Sequence, residues 1–230
     1  MATVLITGAN RGIGLALATV LANRGDTVIA TAREPAKAAA LAELKAKSGR
    51  VEIAPLDVTS DESLAALGRT LSGRSIDLLI ANSGVNDARG GNDDPANTSA
   101  TWARLLGINV IGAFQSIRTL LPCVAKSPAG KIAIISSVMG SSARVAGSGY
   151  PYRASKAAIA NVGANLAVEL KPKGIAVGIY HPGWVKTDMG GQRADIGVEE
   201  SSRGLVARFD ALSLATTGVF EDYNGQTIPF

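Results

Sequence analysis

The sequence predicts an α/β fold in which a doubly wound parallel sheet of about seven strands carries helices on both faces. The first observation is that short apolar runs rich in β-branched residues, such as residues 2–7, leave no room for polar alternation. Such runs are typical of strands buried on both faces of a parallel sheet. The second observation is that these runs alternate with longer segments of helical periodicity, which indicates repeated βα units. A ligand of such a sheet binds at the carboxyl ends of the strands.

Each strand is predicted as a short run before or after turn residues, and the runs are residues 2–7, 27–32, 51–55, 76–81, 131–136, 175–180 and 217–220. The helices are predicted from apolar residues at helical spacing, over residues 15–24, 34–47, 60–71, 101–125, 152–170 and 201–213. Gly25 ends the first helix, Pro35 suits a first helical turn, and Ser60 suits an N-cap. Residues 86–97, rich in Gly, Asn, Asp and Pro, predict a surface loop.

Composition narrows the class of protein. A chain of 230 residues with 47% hydrophobic content can bury one sizeable core, so a single domain over residues 1–230 is expected. The net charge is +4, but Lys and Arg are scattered, so no nucleic acid is expected as a partner. No apolar run reaches the roughly 18 residues of a membrane span and no leader precedes Gly8, so a cytoplasmic protein without a membrane partner is expected. The single cysteine, Cys123, suits a buried packing role in a reducing compartment, and no metal site is predicted.

A glycine-rich turn, Gly8-Ala-Asn-Arg-Gly12-Ile-Gly14, joins the first strand to the first helix. Glycines let the backbone approach a pyrophosphate, and the helix N-terminus offers unpaired N–H donors with a positive dipole. The spacing is G-x-x-x-G-x-G rather than G-x-G-x-x-G, but the strand before it and the helix after it are the context of a dinucleotide-binding loop. The loop residues expected at the cofactor are Gly8, Asn10, Arg11, Gly12, Ile13 and Gly14.

A phenol and an ammonium group share one face of a predicted helix, because Tyr152 and Lys156 are four residues apart. A tyrosine hydroxyl titrates near pH ~10, and a nearby ammonium favours the phenolate. Lowering its pKa to neutrality takes about 4 kcal/mol, which a partly desolvated pair beside a cationic cofactor can supply. Tyr150 is six residues from Lys156 and points elsewhere on the helix, so Tyr152 is the better candidate acid.

Together these features resemble the short-chain dehydrogenase/reductase family, over essentially the whole chain. Further motifs follow in the family's order: Leu56-Asp57-Val58, Ala81-Asn82-Ser83-Gly84, Ile108-Asn109-Val110, Ile134-Ile135-Ser136-Ser137 and residues 182–187. Residues 152–156, 181–191 and 223–226 look like the C-factor and sniffer type of carbonyl reductase. The resemblance implies a Rossmann-like NAD(P)-binding domain with a short C-terminal substrate lid at about residues 188–213.

The resemblance also implies a catalytic tetrad of Asn109, Ser137, Tyr152 and Lys156. Tyr152 would donate a proton to a carbonyl oxygen that Ser137 binds, while the nicotinamide supplies hydride. Lys156 would hold the nicotinamide ribose, and Asn109 would anchor a water chain that returns protons to Lys156. Besides the glycine loop, the residues expected at the cofactor are Arg33, Asp57, Val58, Asn82, Gly84, Tyr152, Lys156, Pro182, Gly183, Val185 and Thr187.

Two functions fit this pattern. The first is an NADPH-dependent oxidoreductase that reduces a small aldehyde, ketone or diketone to an alcohol. The second is a signalling or regulatory protein on the same fold, in which cofactor occupancy rather than turnover matters. Regulatory relatives tend to lose the Tyr/Lys pair, and this chain keeps all four tetrad residues, so the enzyme is favoured.

Four serines are candidates for the catalytic serine. Ser137 stands 15 residues before Tyr152, where the commonest family spacing is 13, and the extra length falls in residues 146–149. The remaining candidates for the serine role are Ser136, Ser141 and Ser142.

Several residues near these motifs have other interpretations. The stretch 192–200 is short for a substrate lid, which predicts an open pocket and broad specificity, unless a partner subunit orders it. His181 precedes Pro182 at a strand end and has no matched family role, so it is expected to be structural. Trp102 and Trp184 are expected to pack, although Trp184 could touch a ligand.

The end of the second strand predicts the choice of cofactor. NAD-binding relatives carry an Asp or Glu there that binds both adenine-ribose hydroxyls, and this chain has Thr31-Ala32-Arg33. Arg33 can offer a forked donor to a 2′-phosphate, with Arg11 nearby and Glu34 as a competing partner, so NADP(H) is expected in preference to NAD(H). By resemblance, a homodimer or homotetramer paired through helices 101–125 and 154–170 is also expected.

Overall fold

Seven strands form one sheet in this computed structural model, which describes residues 1–230. The strands are β1 Thr3–Ile6, β2 Thr27–Ala32, β3 Val51–Pro55, β4 Leu78–Ala81, β5 Lys131–Ile135, β6 Ala176–His181 and β7 Phe220–Asp222. Their order across the sheet is β3-β2-β1-β4-β5-β6-β7, and every neighbouring pair is parallel. The order reverses between β1 and β4, and such a switch point opens a crevice at the carboxyl ends of the strands.

Helices cover both faces of this sheet. They are α1 Gly12–Arg24, α2 Ala39–Ser48, α3 Asp61–Thr70, α4 Ser99–Leu106, α5 Ala113–Val124, α6 Tyr150–Leu170 and α7 Val198–Ala211. Because strand side chains alternate, Leu5 of β1 packs in one core with α3, α5 and α6, while Val4 and Ile6 pack in the other with α1, α2 and α7. The predicted doubly wound α/β fold is therefore confirmed.

The predicted long helix 101–125 is present as one helical segment, Ser99–Val124, but it is not α-helical throughout. A π-helical segment, Gly107–Gly112, separates α4 from α5. Close packing accompanies this segment, since a Cβ on Gly112 would lie 2.8 Å from Val58 Cγ2 and 2.9 Å from its carbonyl oxygen. Single π turns inside helices are frequent at functional sites.

Other boundaries also differ from the sequence prediction, among them the starts of α1 and α7, which lie three residues earlier than expected. Residues 34–47 were expected as one helix, but Pro35–Lys37 form a short 3₁₀ turn and α2 begins at Ala39. Helix α6 begins two residues earlier than expected because Gly149, with φ of 64°, ends the preceding loop. The last strand is Phe220–Asp222 rather than 217–220, and the Thr217 hydroxyl instead accepts a hydrogen bond from the Val177 N–H.

The segment Ser99–Val124 is long and apolar enough to cross a membrane by length and composition alone, with a mean hydropathy of 1.2. Core helices of globular proteins can have the same length and composition. In this protein α5 packs on α3 and β4, and α4 packs on α6. Buried Asn109 and Ser116 form hydrogen bonds inside the protein from this segment. Packing of α5 on the sheet and of α4 on α6 buries part of its apolar surface, while Ile111 and Phe114 remain exposed.

Candidate active site

A cavity of about 850 Å³ opens at the carboxyl ends of the strands. All the residues expected at the cofactor line it, as do Ser137, Tyr152 and Lys156. Asn109 is the one expected site residue that does not line the cavity, because it is buried behind the loop after β4. A shallower groove of about 890 Å³ lies outside, between α1 and α7, and shares the glycine loop with the cavity.

The glycine loop has a backbone that only glycine tolerates well. Gly8 and Gly12 have φ values of 66° and 54°, in the left-handed region. A Cβ on Gly14 would lie 2.3 Å from the Gly8 carbonyl oxygen. Helix α1 begins at Gly12, and Arg11 gives no side-chain cap, so the first N–H groups of α1 suit an anion such as a pyrophosphate.

Asn82 and Thr7 fix the shape of this loop. The Asn82 side-chain amide donates to the carbonyl oxygens of Thr7, at 2.9 Å, and Gly8, at 3.0 Å. The buried Thr7 hydroxyl accepts from the N–H groups of Asn82, at 2.9 Å, and Ser83, at 3.0 Å. The sequence motif pointed to Asn82, but nothing in it showed that Thr7 joins the carboxyl ends of β1 and β4.

Charged groups at the β2 end of the cavity are partly paired. Arg11 forms an exposed ion pair of 2.9 Å with Asp188. Glu34 pairs with Lys37 instead of its neighbour Arg33, and Arg33 has no carboxylate within 4.0 Å. Asp57 accepts from the hydroxyl and N–H of Thr59, and these hydrogen bonds lower the pKa of its carboxyl.

Tyr152, Lys156 and Ser137 meet at the β5 end of the cavity. Tyr152 and Lys156 are both buried, and Lys156 Nζ lies 5.7 Å from the centroid of the Tyr152 ring. The Lys156 ammonium donates to the Ile135 carbonyl oxygen at 2.9 Å. The Ser137 hydroxyl accepts from the Met139 N–H at 3.1 Å, and Ser137 lines the same cavity as Tyr152.

Burial shifts both titratable groups of the pair. It raises the pKa of Tyr152 to about 12, while the Ser137 hydroxyl and the charge of Arg89 act in the lowering direction. Burial alone lowers the pKa of Lys156 to about 8. The expectation that Lys156 lowers the pKa of Tyr152 concerns a pair beside a cationic cofactor and stays a prediction; in the protein chain by itself, desolvation of the phenol outweighs its polar neighbours.

The fold separates the four candidate serines. Ser136 donates its hydroxyl to the Lys156 carbonyl oxygen at 2.8 Å and so ties β5 to α6. The buried Ser141 hydroxyl has no hydrogen-bond partner and Ser142 is exposed, and neither residue lines the cavity. Ser136 and Ser137 both line the cavity, but the Ser137 hydroxyl only accepts from the Met139 N–H and keeps its own proton for a ligand.

Asn109 lies in the π-helical segment and uses its whole amide. Its Oδ1 accepts from the Val85 N–H at 2.8 Å, while its Nδ2 donates to the Val85 carbonyl at 3.0 Å and to Ser155 Oγ at 2.9 Å. A Cβ on Gly84 would lie 3.4 Å from Asn109 Oδ1 and 3.5 Å from Lys156 Nζ. Asn109 thus holds the loop after β4 against α6, next to the Lys156 ammonium.

The sequence missed several residues at the mouth of the cavity. Arg89, in the predicted surface loop, lines the cavity and donates to the Met189 carbonyl oxygen, 100 residues away. Of the expected lid, 188–213, only Asp188, Met189 and Gly190 line the cavity, because α7 packs on α1 in the core. Nothing local in the sequence marks contacts of such long range.

Two residues that were expected to have structural roles, Trp184 and His181, line the cavity. Trp184, expected to pack, is 50% exposed at the cavity mouth and donates its indole N–H to the Gly190 carbonyl oxygen at 2.9 Å. His181 also lines the cavity. Its Nδ1 has no hydrogen-bond partner, and burial lowers its pKa to about 4, so the imidazole is neutral at physiological pH.

Comparison with known proteins places this fold and cavity in a family. Residues 2–196 match the model of the short chain dehydrogenase family, and the chain belongs to that family of oxidoreductases. C-signal of Myxococcus xanthus is 35% identical over 159 residues, which cover 67% of this chain and 93% of that relative.

Solved structures agree with this assignment. The NADPH-bound carbonyl reductase from chicken fatty liver superposes with a TM-score of 0.92 at 32% identity, over 100% of this chain and 99% of that one. Carbonyl reductase Sniffer of D. melanogaster gives a TM-score of 0.93 at 28% identity, over 100% of both chains.

Proposed function

We propose that this protein is an NADPH-dependent carbonyl reductase that converts a small aldehyde, ketone or diketone to an alcohol. The observation that carries the proposal is that the buried Tyr152 and Lys156, with 5.7 Å between the ring centroid and Nζ, line one cavity together with Ser137. This cluster lies in the same cavity as a glycine loop shaped for a pyrophosphate. Similarity to an NADPH-bound carbonyl reductase supports the same reaction.

The nicotinamide cofactor supplies a hydride to the carbonyl carbon when it is bound. Tyr152 donates the proton, and a pKa of about 12 keeps its phenol in the protonated form that a donor needs. Ser137 donates a hydrogen bond to the carbonyl oxygen and stabilises the negative charge that develops there. Lys156 holds the nicotinamide ribose and, with its positive charge, favours the phenolate left after proton transfer.

Asn109 acts on this chemistry through the backbone. Its amide fixes the N–H and C=O of Val85, and thereby the Gly84 backbone that packs beside Lys156 Nζ. We expect a water chain along this backbone to return protons to Lys156. Asn109 is accordingly a positioning residue for the loop after β4 as well as the inner end of that chain.

NADPH is the proposed cofactor in preference to NADH, because Arg33 at the end of β2 is an unpaired guanidinium at the cavity. We also propose a cytoplasmic homodimer or homotetramer paired through α4, α5 and α6. Exposed apolar side chains on these helices support it: Ile111 in the π-helical segment is 58% exposed and Val168 of α6 is 77% exposed. A fully active monomer by light scattering at micromolar concentration would contradict the pairing.

The direct test of the function is NADPH oxidation by the purified protein with aldehydes, ketones, diketones and quinones. Turnover is expected with at least one of these classes, and it should require Tyr152. Oxidation that persists unchanged in Tyr152→Phe would assign the activity to another group.

The second candidate function is that of a signalling or regulatory protein in which cofactor occupancy, rather than turnover, matters. The similarity to C-signal supports this candidate. It predicts tight NADPH binding with no turnover of any carbonyl class. Binding without turnover in the panel above would select this function over the reductase.

A further inference from the structure

The cavity holds two arginines without a carboxylate partner. Four arginines line it, and Arg11 and Arg104 are neutralised by Asp188 and Asp87 respectively. Neither Arg33 nor Arg89 has a carboxylate within 4.0 Å of its guanidinium. Arg33 follows β2, where the adenosine end of a dinucleotide is proposed to bind. Arg89 follows β4 and contacts the segment after β6, so the two free charges lie on opposite sides of the switch point.

Arg89 faces the reacting end of the cavity. The N–H of Gly149, just before α6, donates to the carbonyl oxygen of Gly90 at 2.8 Å, so the loop that carries Arg89 lies against the start of the helix that carries Tyr152. Val138, Met139 and Met189 line the same cavity and add apolar surface. A guanidinium has five N–H donors, and that of Arg89 uses one on the neutral Met189 carbonyl oxygen. The acidic residues that line the cavity, Glu34, Asp57 and Asp188, have partners of their own and leave Arg89 free for a ligand.

We propose that Arg89 binds a carboxylate of the substrate, so that this reductase acts preferentially on carbonyl compounds carrying an anionic group a few atoms from the carbonyl. The planar guanidinium can hold a carboxylate through two parallel N–H···O bonds, while the apolar side chains cover the body of the molecule. This inference rests on the proposed reductase function and names the substrate class of that same site. In the reaction, the carbonyl carbon gains the hydride of NADPH and its oxygen gains the Tyr152 proton, while the carboxylate is unchanged.

Matched acids and esters test the charge of Arg89 separately from the chemistry. The substrates are 3- and 4-formylbenzoate and 4-oxopentanoate, each compared with its methyl ester, which is neutral and keeps the same carbonyl. In at least one pair, kcat/KM for the acid should fall by about tenfold or more in Arg89→Gln while that for the ester changes less than threefold. Glutamine removes the charge and keeps a neutral N–H donor on a shorter side chain.

Control variants distinguish a local charge effect from a general one. Arg104→Gln removes a cavity arginine that Asp87 already neutralises, and should leave the acid-to-ester ratio within about threefold. Arg89→Lys keeps the charge and should keep part of the preference. If Arg89→Gln lowers kcat/KM equally for the acid and the ester in every pair, the proposal is overturned. Arg89 would then serve only to connect two loops through its hydrogen bond to Met189.

A binding measurement keeps this inference separate from the proposed function. Calorimetry with Tyr152→Phe and saturating NADPH reports acid and ester affinity without turnover. The acid should bind this complex at least tenfold less tightly when Arg89→Gln is added, with little change for the ester. An acid affinity that does not change in Arg89→Gln would refute the anion site. An acid affinity that depends on Arg89, together with no turnover in the unmodified protein, would refute only the reductase function.

Discussion

Tyr152 carries its proton inside the protein because burial disfavours the phenolate, and the proposed reduction consumes that proton. Tyr152→Phe should abolish carbonyl turnover while leaving the affinity for NADPH within a few-fold. The substitution removes one hydroxyl, retains the ring that packs in the buried site, and leaves the glycine loop unchanged. Steady-state kinetics and a fluorescence titration with NADPH measure the two effects. If Tyr152→Phe reduced reactive diketones with nearly the kcat of the unmodified protein, Tyr152 would not be the general acid.

The two adjacent serines should behave differently, since one faces the cavity chemistry and the other ties β5 to α6. Ser137→Ala should lower kcat by roughly 10²-fold or more, because a donor to a developing oxyanion is worth about 3 kcal/mol. Ser136→Ala removes the bond to the Lys156 carbonyl and should cost about 1 kcal/mol of unfolding free energy with a smaller loss of kcat. Chemical denaturation beside kinetics separates the two. A larger loss of kcat in Ser136→Ala than in Ser137→Ala would show that Ser136, not Ser137, binds the substrate oxygen.

At the scale of single elements, the loop that follows β5 depends on one arginine. This loop, residues 138–149, contains the extra length that made the serine position uncertain. Arg153 of α6 donates to three carbonyl oxygens in it, those of Ser148 at 2.9 Å, Arg144 at 2.8 Å and Met139 at 3.3 Å. The guanidinium thus folds the longer loop back onto α6 and positions the backbone next to Ser137.

Arg153→Ala should therefore loosen this loop without unfolding the protein. Amide hydrogen exchange in residues 138–149 should rise, and kcat/KM for carbonyl substrates should fall by about tenfold at an unchanged KM for NADPH, because hydrogen bonds to a charged donor are worth about 1.5–3 kcal/mol. Arg69→Ala, on the exposed face of α3, is the matched control and should change neither quantity. Unchanged exchange in the loop of Arg153→Ala would refute this role.

The helix around Asn109 could be predicted from the sequence, but its π-helical segment could not. Apolar periodicity predicted a helix over 101–125, and helices do occupy most of it. The extra residue in the turn around Asn109 depends on contacts with Val85 and Ser155 from other elements, which no local pattern contains. The motif identified Asn109 as a site residue, but its burial behind the cavity wall follows from tertiary packing.

Across the whole molecule, the strands and the glycine loop could be predicted because hydrophobic periodicity and glycine spacing are local. The seven strands and their parallel pairing agree with that reasoning. The pairing of charges could not be predicted, because Arg11 meets Asp188 and Arg89 meets Met189 only after distant strands become neighbours. Desolvation of Tyr152 is likewise a property of the assembled fold, and no local sequence pattern contains it.

The same arrangement of charges predicts the choice of cofactor. Arg33 is exposed at the β2 end of the cavity, no carboxylate repels a 2′-phosphate from the end of that strand, and Glu34 is engaged with Lys37. A charge-assisted contact of about 1.5–3 kcal/mol corresponds to a preference of roughly ten- to over a hundredfold for NADPH. Arg33→Ala should accordingly raise the KM for NADPH by about tenfold or more and leave the KM for NADH nearly unchanged.

The matched control for this prediction is Arg11→Ala, which removes a second guanidinium from the same end of the cavity. Its charge is already offset by Asp188, and both side chains of that pair are exposed, with 68% and 79% of their surface accessible. We expect the KM for NADPH to rise less in Arg11→Ala than in Arg33→Ala, and added salt should weaken both effects. Cofactor kinetics at two ionic strengths measure this order. Equal kcat/KM for NADPH and NADH in the unmodified protein would refute the preference, because the unpaired guanidinium would then not contact the 2′-phosphate.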